Sequence, residues 1–122
     1  MNNHEGKVAL VTGGAQGIGS SIVETLYGQG ADVIIVDLQR EKAETLISNL
    51  KNDRQKLLLI TSDISTQEGC KNVVDKVVDN FSYVDILINN AAPSRNKKFI
   101  GCLSQSNWDV HSNLVVQSVV WL

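Results

Sequence analysis

The sequence predicts an α/β fold: a doubly wound parallel sheet of about four strands in the order 3-2-1-4, with helices on both faces. Four short runs with a continuous apolar centre alternate with segments whose apolar residues recur at helical spacing; the runs are 7–11, 32–37, 56–61 and 84–89. Strands of this kind are typical of parallel sheets that are covered on both sides. A glycine-rich turn follows the first run. Right-handed crossovers leave few topologies for such a chain, and 3-2-1-4 is the natural one.

The segments between the runs predict helices. The first begins at Ile18 and is ended by Gly28 and Gly30, and the third is capped near Ser65 or Thr66. The apolar stripes of the first three helices consist of Ile18, Ile22, Val23 and Leu26, then Ala43, Leu46, Ile47 and Leu50, then Val73, Val74, Val77, Val78 and Phe81. A fourth helix is predicted over residues 104–122.

Length and composition indicate one small domain. The chain has 122 residues, of which 43% are hydrophobic and 20% charged, and we expect residues 1–122 to form a single, partial domain. A net charge of −2 gives no basic surface for nucleic acid. The polar N-terminus lacks the apolar core of a signal peptide, and no apolar run approaches the ~18 residues that would span a membrane. We therefore expect a cytoplasmic protein without a metal site, with Cys70 and Cys102 as free thiols.

The glycine-rich turn, "TGGAQGIG" at 12–19, points to a phosphate-bearing ligand. Gly13, Gly17 and Gly19 lie between the first strand and the first helix. Glycine allows a tight turn and a close approach of the backbone, and the start of the helix attracts an anion. The spacing matches neither G-x-G-x-x-G nor the P-loop, so a structural turn is the alternative.

Two aspartates follow the second and third strands. Asp37 comes 18 residues after Gly19. It is therefore placed to bind the hydroxyls of an adenosine ribose and to repel a 2′-phosphate. Neither Ala15 nor Gln16 is basic, and Arg40 is expected on a solvated helical turn, so NAD is favoured over NADP. Asp63 could accept a hydrogen bond from the adenine amine, with Ile64 packing on the ring. A turn or capping role is an equal alternative for Asp63.

The fourth strand ends in "NNAA", residues 89–92. Side-chain amides at this position can tie neighbouring strands together, and small residues let a cofactor lie against the backbone. Asparagine is also common in turns, so this motif is weak by itself.

Taken together, these motifs resemble the N-terminal, cofactor-binding half of a short-chain dehydrogenase/reductase. The chain is similar to the classical branch of that family, with T-G-x-x-x-G-I-G followed by "VDL", "SDI" and N-N-A-G in the same order. The match runs from about Lys7 to Leu114 and includes "WDVHSNL", which resembles the segment carrying a helix asparagine. The extended, epimerase-like branch uses G-x-x-G-x-x-G instead. The resemblance implies a Rossmann-type fold.

The resemblance also implies a function, a reversible hydride transfer between NAD(H) and a small-molecule alcohol or carbonyl. Asn113 corresponds to the asparagine of the active-site helix and proton relay. The implied cofactor-binding residues are Gly13, Ala15, Gln16, Gly17, Ile18, Gly19, Asp37, Leu38, Asp63, Ile64, Asn90, Ala91 and Ala92. In the family the helix corresponding to 104–122 often contributes to a subunit interface, which would allow a homo-oligomer.

The chain departs from the family pattern at two places. Ala92 replaces the usual glycine, a change that a small shift could absorb. The Tyr-x-x-x-Lys pair and its serine are absent, because Tyr27 is followed four residues later by Ala31 and Tyr83 by Leu87. We therefore expect a truncated or partial product of a longer dehydrogenase, whose fourth strand would leave a bare apolar edge.

Two other functions compete with that of a dehydrogenase. One is an inactive NAD-binding module. The other is a methyltransferase that uses S-adenosylmethionine, which shares a glycine loop and an acidic residue after the second strand. The spacing of the glycine loop and the "NNAA" motif count against the methyltransferase.

Overall fold

A computed structural model describes residues 3–92 and residue 109. Four strands alternate with three helices in this part of the chain. In chain order the elements are β1 (Val8–Thr12), α1 (Gly17–Gly28), β2 (Asp32–Val36), α2 (Arg40–Leu50), β3 (Leu57–Ile60), α3 (Gln67–Phe81) and β4 (Ile86–Ile88). The helix predicted over 104–122 lies outside the described residues except for Asp109.

The four strands form one parallel sheet in the order β3-β2-β1-β4, which confirms the predicted topology. In the register of the sheet, β1 pairs with β2 from Val8 opposite Asp32, and with β4 from Ala9 opposite Ile86. β2 pairs with β3 from Val33 opposite Leu57. Because all four strands run the same way, their carboxyl ends and the loops that follow them lie at one edge.

Helices cover both faces of the sheet. On one face, α1 packs on β1 and β2 while α2 packs on β3, and the buried residues there include Val23, Leu26 and Ala43. On the other face, α3 contributes Cys70, Val73 and Val77. Every residue of β1 is buried, which explains why Val8 to Val11 are continuously apolar rather than alternating with polar residues.

The helix stripes are narrower than the sequence predicts. Ile18 is 75% exposed, because it is the second residue of α1 and lies beyond the packed part of the sheet. Val74 and Val78 of α3 are also exposed, while Val73 and Val77 point into the core. The two exposed valines line a groove of about 330 Å³ beside β4. The cap of α3 follows the prediction, since the Thr66 hydroxyl accepts the N–H of Gly69 at 3.0 Å.

A buried tyrosine anchors the connection between α2 and β3. The Tyr27 hydroxyl accepts the backbone N–H of Asn52 at 3.0 Å and donates to the carbonyl of Gln55 at 3.4 Å. The Gln55 amide in turn donates to the carbonyls of Tyr27 and Ala31.

Within the described residues, no helix is long and apolar enough to cross a membrane.

Removing the Tyr27 hydroxyl should lower the stability of the fold. We expect Tyr27→Phe to lower the free energy of unfolding by about 1–2 kcal/mol, because the Asn52 N–H loses its acceptor in a partly buried place. Urea unfolding followed by circular dichroism measures this change. The matched control is Tyr83→Phe, at a side chain that is 58% exposed, and it should change stability by less than about 0.5 kcal/mol. Equal effects of the two substitutions would contradict the assignment.

Candidate cofactor-binding site

The glycine loop after β1 packs tightly against the end of β4. Gly13 and Gly17 have φ angles of +67° and +58°, in the left-handed region that favours glycine. A Cβ atom at Gly13 would lie 2.9 Å from the Cα of Ala91. At Gly19 a Cβ would overlap the carbonyl oxygen of Gly13 and approach the Asn90 amide nitrogen to 2.6 Å. Both positions therefore need glycine to bring loop, helix and strand together.

The start of α1 is suited to an anion. Its N-cap residue, Gln16, is extended and forms no side-chain cap, and the first turn contains no acidic residue. The first N–H groups of a helix have no partners within the helix, and they carry the positive end of its dipole. Gly17, Ile18 and Gly19 thus offer a phosphate group a surface with no carboxylate in that turn.

Thr12 is a site residue whose role the sequence does not indicate. It is only 1% exposed, and its hydroxyl accepts the backbone N–H groups of Asn90 and Ala91, both at 3.0 Å. The hydroxyl donates to the carbonyl of Ile88 at 3.4 Å. The Asn90 amide donates back to the carbonyls of Thr12 and Gly13 at 3.2 and 3.1 Å. These bonds join the carboxyl ends of β1 and β4, which are neighbours in the sheet.

Asp37 lies directly behind the glycine loop. Its Oδ2 accepts the N–H of Ala15 at 3.0 Å, and its Oδ1 accepts the N–H of Gln39 at 2.9 Å. The carboxylate is half-buried and keeps lone pairs on both oxygens for a further donor. Leu38, the next residue, is 61% exposed and presents an apolar side chain at the same edge.

The side chains of Asp63 and Ile64 differ in exposure, and therefore in how well each could contact a ligand. The Asp63 Oδ1 accepts the N–H and the hydroxyl of Ser65 at 3.0 and 2.6 Å, which is the turn geometry left open as an alternative. The rest of the carboxylate is exposed. The Ile64 side chain is buried against α3, so little of it can reach an adenine ring. Their roles toward adenine remain predictions.

The buried side chain of Cys70 forms a hydrogen bond to the loop after β3. Its thiol donates to the Ile64 carbonyl at 3.3 Å. Burial raises the pKa of the Cys70 thiol above its ordinary value of 9.0, and the negative charge of Asp63 raises this pKa further. The thiol is therefore protonated at neutral pH and acts as a small packed donor rather than a nucleophile.

A cation also reaches the glycine loop. The ammonium group of Lys42, in the first turn of α2, donates to the side-chain oxygen of Gln16. The two residues are 26 positions apart, so no local spacing could indicate this contact. Arg40 forms an exposed ion pair with Glu44 at 3.4 Å, in agreement with its expected place on a solvated turn.

Most of the predicted site residues thus share one edge. The loop from Gly13 to Gly19, Asp37 with Leu38, and Asn90 with Ala91 surround the ends of β1, β2 and β4. Ala92 is exposed beyond β4. Asn113 lies outside the described residues. The class of protein that this edge defines is a dinucleotide-binding Rossmann-type domain.

Comparison with known proteins gives the family. The sequence model of the short chain dehydrogenase family matches residues 7–122, and the chain belongs to this family, whose members are oxidoreductases. The chain is 38% identical over 117 residues to 15-hydroxyprostaglandin dehydrogenase [NAD(+)] of Bos taurus, covering 94% of this chain and 41% of that protein.

Solved structures agree with this assignment. L-sorbose reductase from Gluconobacter frateurii, complexed with NADPH and L-sorbose, is 33% identical with a TM-score of 0.83, over 97% of this chain and 45% of that one. The 3-ketoacyl-(acyl-carrier-protein) reductase of Brucella melitensis, complexed with NADH, is 29% identical with a TM-score of 0.86, over 98% and 48%. The chain therefore spans less than half the length of these relatives. The first of these two structures contains NADPH and the second contains NADH.

Proposed function

We propose that this chain forms the cofactor-binding part of an NAD(H)-dependent oxidoreductase that acts on an alcohol or carbonyl compound. The observation that carries the proposal is the half-buried Asp37 carboxylate, 3.0 Å from the backbone of the glycine loop. A carboxylate at this position favours the ribose hydroxyls of NAD and disfavours the 2′-phosphate of NADP.

The described residues fit a nicotinamide dinucleotide. Gly13 and Gly19 let the loop pack closely against the end of β4, and a Cβ at Gly17 would meet none of the described residues within 4 Å. The first turn of α1 would supply N–H donors to a pyrophosphate. Asn90 and Ala91, held by Thr12, form the wall where the nicotinamide side would lie. When bound, the nicotinamide supplies the hydride acceptor or donor.

The 122 residues by themselves should bind the cofactor without turning over substrate. A carbonyl that receives a hydride needs a proton donor, and a positioned general acid contributes about 10²–10⁴-fold. Neither Tyr27 nor Tyr83 is followed by lysine four residues later. Tyr27 is also buried, and its hydroxyl is hydrogen-bonded to the backbone of Asn52. We therefore propose an NAD-binding unit that is inactive in this form, in which a role for Asn113 in a proton relay rests on the family resemblance.

Isothermal titration of the chain with NADH and NADPH tests the proposal. We expect NADH to bind and NADPH to bind more weakly, because Asp37 places a negative charge where the 2′-phosphate would lie. A panel of primary and secondary alcohols with NAD, followed at the absorbance of NADH, should give no rate above background.

Each part of the proposal can fail separately. Tighter binding of NADPH would overturn the role given to Asp37. Alcohol-dependent reduction of NAD would show that a proton donor exists within the 122 residues. If neither nucleotide binds to a chain that circular dichroism shows to be folded, the cofactor-binding function itself is wrong.

A further inference from the structure

We infer that Lys42 is a second determinant of cofactor choice, which offsets the repulsion by Asp37 and allows the 2′-phosphate of NADPH to bind at this site. The inference rests on the proposed function, because it concerns the ribose side of the same nucleotide site. It names a residue that neither the glycine motif nor the acidic strand end includes.

The position of Lys42 follows from two contacts. Asp37 Oδ2 accepts the N–H of Ala15, so the loop at residues 15 and 16 lies beside the carboxylate that would face the ribose. The ammonium group of Lys42 donates to the side chain of Gln16, the next residue of that loop. Lys42 and Asp37 therefore approach the same stretch of loop, one from α2 and the other from the end of β2.

The charge of Lys42 is available to an anion. Among residues 3–92 the ion pairs are Arg40–Glu44 and Lys71–Asp75, and Lys42 belongs to neither. Its partner is a neutral amide oxygen, which compensates no charge. Glu41 lines the same open groove between α1 and α2 and is the nearest acidic neighbour along the chain.

The chemistry of the two nucleotides makes Lys42 selective. NAD presents two ribose hydroxyls, for which an added cation changes little, whereas NADP presents a phosphate dianion. Lysine commonly binds phosphate groups, because its flexible side chain carries a compact positive charge. The Gln16 side chain can move away from the Lys42 ammonium group, or keep its hydrogen bond to Lys42 while the phosphate binds. Lys42 should therefore affect the binding of NADPH and leave that of NADH almost unchanged.

The test compares Lys42→Met with the unaltered chain by titration with both nucleotides. We expect Lys42→Met to weaken NADPH binding about tenfold, since one charge-assisted contact is lost, and to change NADH binding by less than about twofold. Lys42→Arg should retain most of the NADPH affinity because it keeps the charge. The matched control is Lys51→Met, an exposed lysine at the other end of α2, which should change neither affinity.

Salt dependence supplies an independent measurement. On raising the salt concentration from about 20 mM to about 300 mM, the affinity for NADPH should fall less steeply in Lys42→Met than in the unaltered chain, because one screened charge pair is absent. If Lys42→Met lowers the affinities for NADH and NADPH equally, Lys42 only stabilises the loop and the inference is wrong. Unchanged NADPH affinity in Lys42→Met would also overturn the inference. So would an unaltered chain that binds NADH and no NADPH. If it binds neither nucleotide, the proposed function fails as well.

Discussion

Replacing Gly19 with alanine is expected to abolish detectable NADH binding and to destabilise the fold by about 3 kcal/mol. The added Cβ would overlap the carbonyl oxygen of Gly13 and crowd the Asn90 amide at 2.6 Å. Both obstacles are held in place, the first as backbone and the second by hydrogen bonds to Thr12 and Gly13. The loop can accept the methyl group only by moving away from β4, which distorts the surface that would face the pyrophosphate.

The same substitution at the other end of α1 is the control. A Cβ at Gly28 would meet none of the described residues within 4 Å outside its own stretch of helix, and Gly28 does not have a positive φ. Gly28→Ala should leave NADH binding unchanged and raise the free energy of unfolding by up to about 1 kcal/mol, because alanine restricts the unfolded chain more than glycine does. Urea unfolding and titration calorimetry measure both effects. If Gly19→Ala behaves like Gly28→Ala, the close approach of α1 to Gly13 is not required for binding.

Replacing Thr12 with valine should have the second largest effect. Valine has nearly the same shape but no hydroxyl, so the N–H groups of Asn90 and Ala91 lose their shared acceptor. Unsatisfied donors of this kind cost about 1–3 kcal/mol each, and we expect a loss of about 2–4 kcal/mol since both residues are only half-buried. The affinity for NADH should fall at least about tenfold, because the wall on the nicotinamide side is no longer fixed.

Thr12→Ser separates the hydroxyl from the rest of the side chain. Serine keeps the acceptor and loses one methyl group, so NADH binding should stay within about threefold of the unaltered chain and stability within about 1.5 kcal/mol. Equal losses in Thr12→Val and Thr12→Ser would mean that packing of the methyl group, and not the bridge to β4, determines the effect.

Local pattern predicted the architecture well because the strands at the centre of the sheet are buried on both faces. The apolar runs at 7–11 and 32–37 overlap β1 and β2 almost completely, and the strand order followed from the handedness of crossovers. The cap at Thr66 was also predictable, because a capping side chain and its N–H partner are three residues apart.

The details that failed depend on contacts between distant segments. Ile18 and Val78 fit an apolar stripe, yet they lie where no described element covers them, and periodicity cannot report that. The burial of Ile64 beneath α3 is likewise invisible to local pattern, and its role toward adenine stays a prediction. The dual acceptor role of Thr12 and the contact between Lys42 and Gln16 arise from loop paths that bring together residues 78 and 26 positions apart.

The pairing of β1 with β4 has a consequence for the order of folding. β1 pairs with β2 at Val8 and Asp32, but it reaches Asp85 only by closing a loop of 77 residues. A threefold longer loop costs about 1 kcal/mol more in chain entropy, and distant pairings slow folding. We expect β3-β2-β1 to associate first and β4 to dock last, so that the hydrogen bonds between Thr12 and Asn90 form at the end. The nucleotide site would then be complete only after β4, the last of the described strands, has joined the sheet.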